Sequence, residues 1–131
     1  VAVVAKSGTP SLSSVTPPQN CQIVGRLAGE AIAAGDACYI ASTGLVMKSN
    51  GTAANAAAAV HGFAAMAAAS GEAVTLYFDV NFRYGAGLTP GTKLYLFTTA
   101  GQIGDAATTG GTAPIGFVID ATRIRVWQSR Y

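Results

Sequence analysis

Gly35-Asp36-Ala37-Cys38-Tyr39-Ile40, with a turn at Gly44 and then Val46, is the stretch whose reading decides the fold. The pattern returns as Gly91-Thr92-Lys93-Leu94-Tyr95-Leu96, followed by Gly101 and Ile103. Gly35 and Gly91 lie 56 residues apart, and so do Tyr39 and Tyr95. Val60-His61-Gly62-Phe63 is answered by Pro114-Ile115-Gly116-Phe117 at an offset of 54. Matched positions at a nearly constant offset predict an internal duplication, which outranks local propensity. Two copies are too few for a solenoid. The expected architecture is one domain with pseudo-twofold symmetry.

Working outward, the turn glycines separate short β-prone runs. Cys21–Val24, Ala37–Ser42, Leu45–Met47, Lys93–Thr98, Gln102-Ile103, Ile115–Ile119 and Arg123–Gln128 all read as strands. Short strands between Gly-rich turns predict an all-β barrel or sandwich. Residues 74–82 give the cleanest alternation, with Val74, Leu76, Phe78, Val80 and Phe82 expected on one buried face of a single strand. Thr52–Ser70 is alanine-rich and helical by propensity. The duplication nevertheless aligns Val60–Ala65 with the β-prone Ile115–Ile119, so we expect strand there and a loop or one short helix over 52–59.

Residues 1–20 carry Gly8, Pro10, Pro17 and Pro18 among Ser and Thr, without a sustained period. They are expected to form an extended N-terminal arm, ahead of a single β domain over 21–131. Val1-Ala2-Val3-Val4 is an apolar β-prone run suited to pairing with a partner's sheet edge. The expectation is an arm that is mobile in the free protein and ordered on its partner. The opening Val1–Ala5 lacks a basic leader and is too short to be expected as a signal peptide.

Composition narrows the function. The 131 residues suffice for a real core. Only 11% are charged and the net charge is +2, which lacks the electrostatic footprint of a nucleic-acid binder. No run of about 18 apolar residues predicts a membrane span. Cys21 and Cys38 could pair in an oxidising compartment, but nothing points to export, so both are expected as reduced thiols.

Candidate chemistry is sparse. The single histidine, His61, has no Cys, Asp or Glu at metal-ligand spacing and reads as structural. No nucleophile elbow or phosphate-binding glycine loop occurs. The six acids, Glu30, Asp36, Glu72, Asp79, Asp105 and Asp120, mostly adjoin glycines or turns, where short polar side chains satisfy local backbone groups. No catalytic, cofactor-binding or metal residues are expected, and no enzyme. Arg123, Arg125 and Trp127 alternate along the last strand and share a face, with Arg130 and Tyr131 beyond. Arg, Trp and Tyr concentrate at binding hot spots. Arg123, Arg125, Trp127 and Tyr131 are therefore the expected interface.

Two resemblances follow from these residues. Gly35-Asp36 followed by Val46-Met47-Lys48-Ser49 is similar to the turn and lysine of biotin- and lipoyl-carrier domains, which would make Lys48 the modified residue. The chain departs from that motif at Gly44-Leu45 and Ser49 and is longer than such carriers. The wider match is to tailed-phage capsid decoration (cement) proteins, of the kind phage lambda carries on its head. It rests on Ala28-Gly29-Glu30-Ala31-Ile32-Ala33-Ala34-Gly35-Asp36-Ala37-Cys38-Tyr39 and Val60-His61-Gly62-Phe63-Ala64. It continues through Ala69-Ser70-Gly71-Glu72-Ala73-Val74-Thr75-Leu76 and Pro114-Ile115-Gly116-Phe117-Val118. That resemblance covers about residues 28–126 and implies a β-tulip-like domain. It also implies a homotrimer on the outer capsid surface, made in the host cytoplasm, with the major capsid protein as partner and no cofactor. The arm residues Val1, Ala2, Val3, Val4 and Pro10 would then bind the capsid. A phage tail or fibre adhesin is the other structural reading.

Overall fold

Gly35 and Gly91 both take left-handed backbone, at φ 83° and 84°, as do the hairpin glycines Gly44 and Gly101, at 85° and 80°. Residues with a Cβ adopt that region only at a cost, so these positions fix where the chain turns into each strand. The structure, a computed structural model, describes residues 3–13 and 21–129. Its strands are β1 (Ser11–Leu12), β2 (Gln22–Leu27), β3 (Ala37–Ile40), β4 (Val46–Lys48), β5 (Gly62–Ala64) and β6 (Ala73–Tyr77). They continue as β7 (Val80–Arg83), β8 (Lys93–Leu96), β9 (Ile103–Gly104), β10 (Gly116–Val118) and β11 (Arg123–Val126).

The strands make two antiparallel sheets, ordered β2-β6-β5-β3-β4 and β1-β7-β11-β10-β8-β9. The all-β expectation holds, and its barrel form does not, because neither sheet closes. The outer edges of β9 and β4 are met by other segments instead.

The two sheets place their strands alike. The chain fills the first from β2 to β6 and the second from β7 to β11, in the same spatial order, with β1 added outside β7. Ala37 and Cys38 face Phe63 and Gly62 across β3 and β5, and Lys93 and Leu94 face Phe117 and Gly116 across β8 and β10. Close approach explains both glycines. A Cβ on Gly62 would sit 2.7 Å from Leu76 Cβ, and one on Gly116 would run into the Arg125 carbonyl oxygen.

Each sheet has its own core. Cys38, Val46, Ala64, Val74 and Leu76 pack with Ala28, Ile32 and Ala68 against the five-stranded sheet. Val80, Phe82, Leu94, Leu96, Ile103, Val118, Ile124 and Val126 fill the six-stranded one. Phe63 joins the second cluster and meets Phe82 with ring centroids 6.3 Å apart, tying the two sheets together.

Residues 74–82 are not one strand, contrary to expectation. They break at Phe78-Asp79 into β6 of one sheet and β7 of the other. Asp79 takes φ 52°, a left-handed conformation that Asp tolerates better than most residues. The Phe78 N–H donates to the Cys21 carbonyl at 3.1 Å. Val74 and Leu76 therefore enter one core, Val80 and Phe82 the other, and Phe78 is only half-buried.

The alanine-rich stretch follows the sheet instead of its propensity. It contains a single 3-10 turn at Ala56–Ala58, capped by the Asn55 side chain accepting from the Ala57 N–H at 3.0 Å. Gly62–Ala64 is strand, held between β3 and β6. Nucleating a helix is costly in itself, and here it would also forfeit the ladder bonds that β3 and β6 give Gly62–Ala64.

Residues 3–13 are packed onto the domain instead of hanging free. Val3 bridges Gly104, and the Val4 N–H donates to the Ile103 carbonyl at 2.8 Å, covering the outer edge of β9. Ser11 and Leu12 pair with Arg83 and Phe82, covering β7. Between them Pro10 is buried against Gly35, and Lys6 Nζ meets Asp36 Oδ1 at 2.5 Å. The reason is electrostatic as well as apolar, because Asp36 is buried and needs a countercharge. For these residues a strap replaces the expected mobile arm. Val1, Ala2 and residues 14–20 lie outside the described residues.

Two stability predictions follow from this packing. Phe82→Ala should cost roughly 3–5 kcal/mol, as aromatic truncations in cores do, while Phe78→Ala should cost less than half as much. Denaturant titration of both variants checks this. Lys6→Met leaves Asp36 buried without its partner and should cost roughly 3 kcal/mol, the low end for a broken buried pair. The double variant with Asp36→Asn should lose less than the two single losses combined, which a double-mutant cycle measures.

Candidate interaction surface

Strand alternation decides what the six-stranded sheet presents outward. In β11, Ile124 and Val126 are buried, so Arg123 and Arg125 point away from the core. In β10, Gly116 and Val118 are buried and Phe117 faces out, 39% exposed. Antiparallel partners share a face, so the register sets the pattern directly. Phe117 lies opposite Arg125 on one side and Lys93 on the other, and Arg125 lies opposite Asn81. A row of cation, aromatic, cation and amide thus crosses β8, β10, β11 and β7. Arg123 lies directly opposite Arg83 in the next row.

Trp127 continues the aromatic part. Its ring centroid is 6.0 Å from that of Phe117, and its indole N–H donates to the Pro114 carbonyl at 3.0 Å. Arg125 donates to Asn81 Oδ1 at 3.3 Å. Asp120 organises the turn between β10 and β11. Its Oδ1 accepts from the backbone N–H groups of Thr122 and Arg123, and Oδ2 accepts from the Arg123 guanidinium at 2.8 Å. The guanidinium, with the Thr122 and Arg123 N–H groups, holds the Asp120 carboxyl down from its ordinary 3.8 to about 2.

The structure therefore brings Arg123, Arg125 and Trp127 onto one surface. Tyr131 lies outside the described residues. Phe117 and Lys93 belong to the same surface and were missed in the sequence, where each reads as one position of an ordinary strand. The signal that finds them is cross-strand register, which a sequence does not print. Of the arm residues, Val3 is exposed, Val4 half-buried and Pro10 buried.

Other candidate positions are occupied by structural tasks. His61 Nδ1 accepts from the Ile40 N–H at 2.8 Å, and its carbonyl accepts from Gln128 Nε2. Lys48 ends β4 opposite Cys38, and its N–H donates to Glu30. A carrier lysine needs a hairpin tip, and the tip here is Ala41–Leu45, so the geometry does not suit that reading. Cys21 and Cys38 are both free. Burial, with the carboxylates of Asp36 and Glu30, pushes the Cys38 thiol far up and leaves it a poor nucleophile. Among the described residues, no group of three or more His, Cys, Asp or Glu is placed to hold a metal ion. A groove of about 320 Å³ runs beside Leu12, Ala65, Met66, Val74 and Tyr77, and its lining is mainly apolar. No family model matches this chain, and no curated protein or solved structure does either.

The Asp120 turn yields a pH prediction. A carboxyl whose pKa is lowered by folding contributes stability that is present above its unfolded value and lost as pH falls through its folded one. The Asp120 contribution should thus be full above about pH 4 and fade toward pH 2. Asp120→Asn should flatten the fall in thermal midpoint across that window, measured against wild type in the same buffers.

Proposed function

We propose that this protein is a structural virion component, a decoration or cement protein that binds the outer surface of a tailed-phage head. It acts by stabilising contacts between major capsid protein subunits. The observation that carries the reading is the outward face of the six-stranded sheet. There Phe117, Trp127 and Arg125 form a patch of the residue types that dominate binding hot spots. The resemblance over residues 28–126 supports the same reading.

On this reading the matched strand order of the two sheets reflects an internal duplication with pseudo-twofold symmetry, and the fold is a β-tulip variant. The protein is made in the host cytoplasm and sits as a homotrimer on the shell, without a cofactor. Its function is mechanical. Clamping neighbouring capsomers raises the free energy needed to part them, and many modest contacts repeated over a shell act by avidity. The exposed Val3 side chain supplies a further contact to the shell.

Sedimentation tests the proposal. Purified protein is mixed in parallel with expanded heads lacking their decoration and with whole host cells. Pelleting with the heads, and heads that then survive a higher temperature, are the expected results. Pelleting with cells and not with heads would replace this reading with a tail or fibre adhesin.

A further inference from the structure

The outward face of the six-stranded sheet has a charge pattern as well as an aromatic centre. Arg83, Lys93, Arg123 and Arg125 all lie on it, half of the eight Lys and Arg in the chain. Among the described residues Asp120 pairs with one of them, Arg123. The whole chain carries a net charge of only +2, so this one face is more positive than the molecule. Arg83 and Arg123 stand directly opposite each other, an arrangement that destabilises a sheet. Arg123 serves the Asp120 turn and Arg125 bonds Asn81, while the opposed Arg83 adds a repulsion that does not favour the fold.

From this we infer that the face is a docking surface for an acidic protein segment, one that brings carboxylates to Lys93 and Arg125 and an aliphatic side chain to Phe117 and Trp127. Lys93 and Arg125 flank Phe117 on adjacent strands, so they are two strand spacings apart, about 10 Å. Seven residues of α-helix rise about 10.5 Å, so a helix with Glu at i and i+7 and Leu at i+3 matches both cations and the aromatic centre. Guanidinium and ammonium groups beside an apolar centre favour carboxylates in a protein context. A single-stranded nucleic acid, which also uses cations and aromatic platforms, is the competing occupant. The inference deepens the proposed head-binding role by naming the chemistry of the partner surface.

Trp127 is the only tryptophan in the chain, so its fluorescence reports on this face. Full-length protein is titrated with a synthetic helical peptide carrying Glu-x-x-Leu-x-x-x-Glu, with the same peptide bearing Lys for Glu, and with a (dT)16 oligonucleotide. The acidic peptide should change the emission saturably, and at least tenfold more weakly with Phe117→Ala. Lys93→Glu with Arg125→Glu should reverse the preference, binding the Lys peptide and not the Glu peptide. Lys93→Gln with Arg125→Gln serves if the reversed variant does not fold, and should lose the Glu peptide at least tenfold. No response to the acidic peptide, or a response indifferent to these substitutions, overturns the inference. Tighter binding of (dT)16 than of peptide reassigns the face to nucleic acid. Wild type that binds the peptide but not heads keeps this surface and removes the capsid role, whereas the opposite result removes only the surface.

Discussion

Asp36 is the constraint on which the rest of the structure depends. Its carboxylate is buried where the turn into β3, the β8–β9 hairpin and the N-terminal strap converge. Oδ2 accepts from the Ala33 N–H at 2.9 Å, and Oδ1 accepts from Lys6. Gly101 presses so close that a Cβ there would lie 2.8 Å from Asp36 Cγ. The same glycine takes the Ala37 N–H on its carbonyl and donates to the Ser49 carbonyl, which stitches the two sheets together. A buried ion pair of this kind is weak evidence for net stability, because desolvating both charges offsets most of their attraction. Its effect here is positional. Only the strap residue that brings an ammonium to Asp36 satisfies the site, so the pair sets where residues 3–13 lie.

The strap then resolves a problem that two open sheets create. An unpaired strand edge is a template for association with other chains. Val3 and Val4 cover the outer edge of β9, and β1 covers that of β7. In the five-stranded sheet, Ala28 and Gly29 bind Val46, and Glu30 accepts from the Lys48 N–H, so the edge of β4 is covered too. The β2 edge is handled differently. Its register with β6 shifts between Ile23 and Arg26, and Gly25 there takes φ 82°. A bulge twists a strand away from flat pairing, which blunts the edge even though Val24 is 62% exposed.

This logic separates what the sequence makes legible from what it hides. Turn glycines at Gly35, Gly44, Gly91 and Gly101 and the alternation within each strand are local features, and they appear in the sequence directly. Gly62 and Gly116 stand at matching registers, opposite Cys38 and Leu94, and the spacing that relates them is visible in the sequence. The break at Asp79 was not readable. Its left-handed residue turns the chain without disturbing the alternation, so Val74 to Phe82 keeps one phase while serving two cores. The strap was hidden for a different reason. Pro10 and Lys6 are placed by groups 25 and 30 positions away in the chain, and no local pattern announces a buried carboxylate. In the outward surface, Arg123, Arg125 and Trp127 were visible from their own alternation. Phe117 and Lys93 join them only through pairing across strands.

The division of labour between strap and sheet bears on how the proposed attachment would work. Lys6 and Pro10 are committed inward, and a partner that took hold of them would have to release Asp36 from its countercharge. That exchange would set binding against folding. The outward face of the six-stranded sheet carries no such conflict, since Ile124, Val126, Val118 and Leu94 anchor its strands from the opposite side. Its side chains can be tuned for a partner without touching the core. The opposed Arg83 and Arg123 are what such freedom permits, a local destabilisation that the sheet tolerates because its stability resides on the other face. A protein that must stay folded while gripping a surface gains from this separation, because a stronger grip then does not come at the expense of the fold.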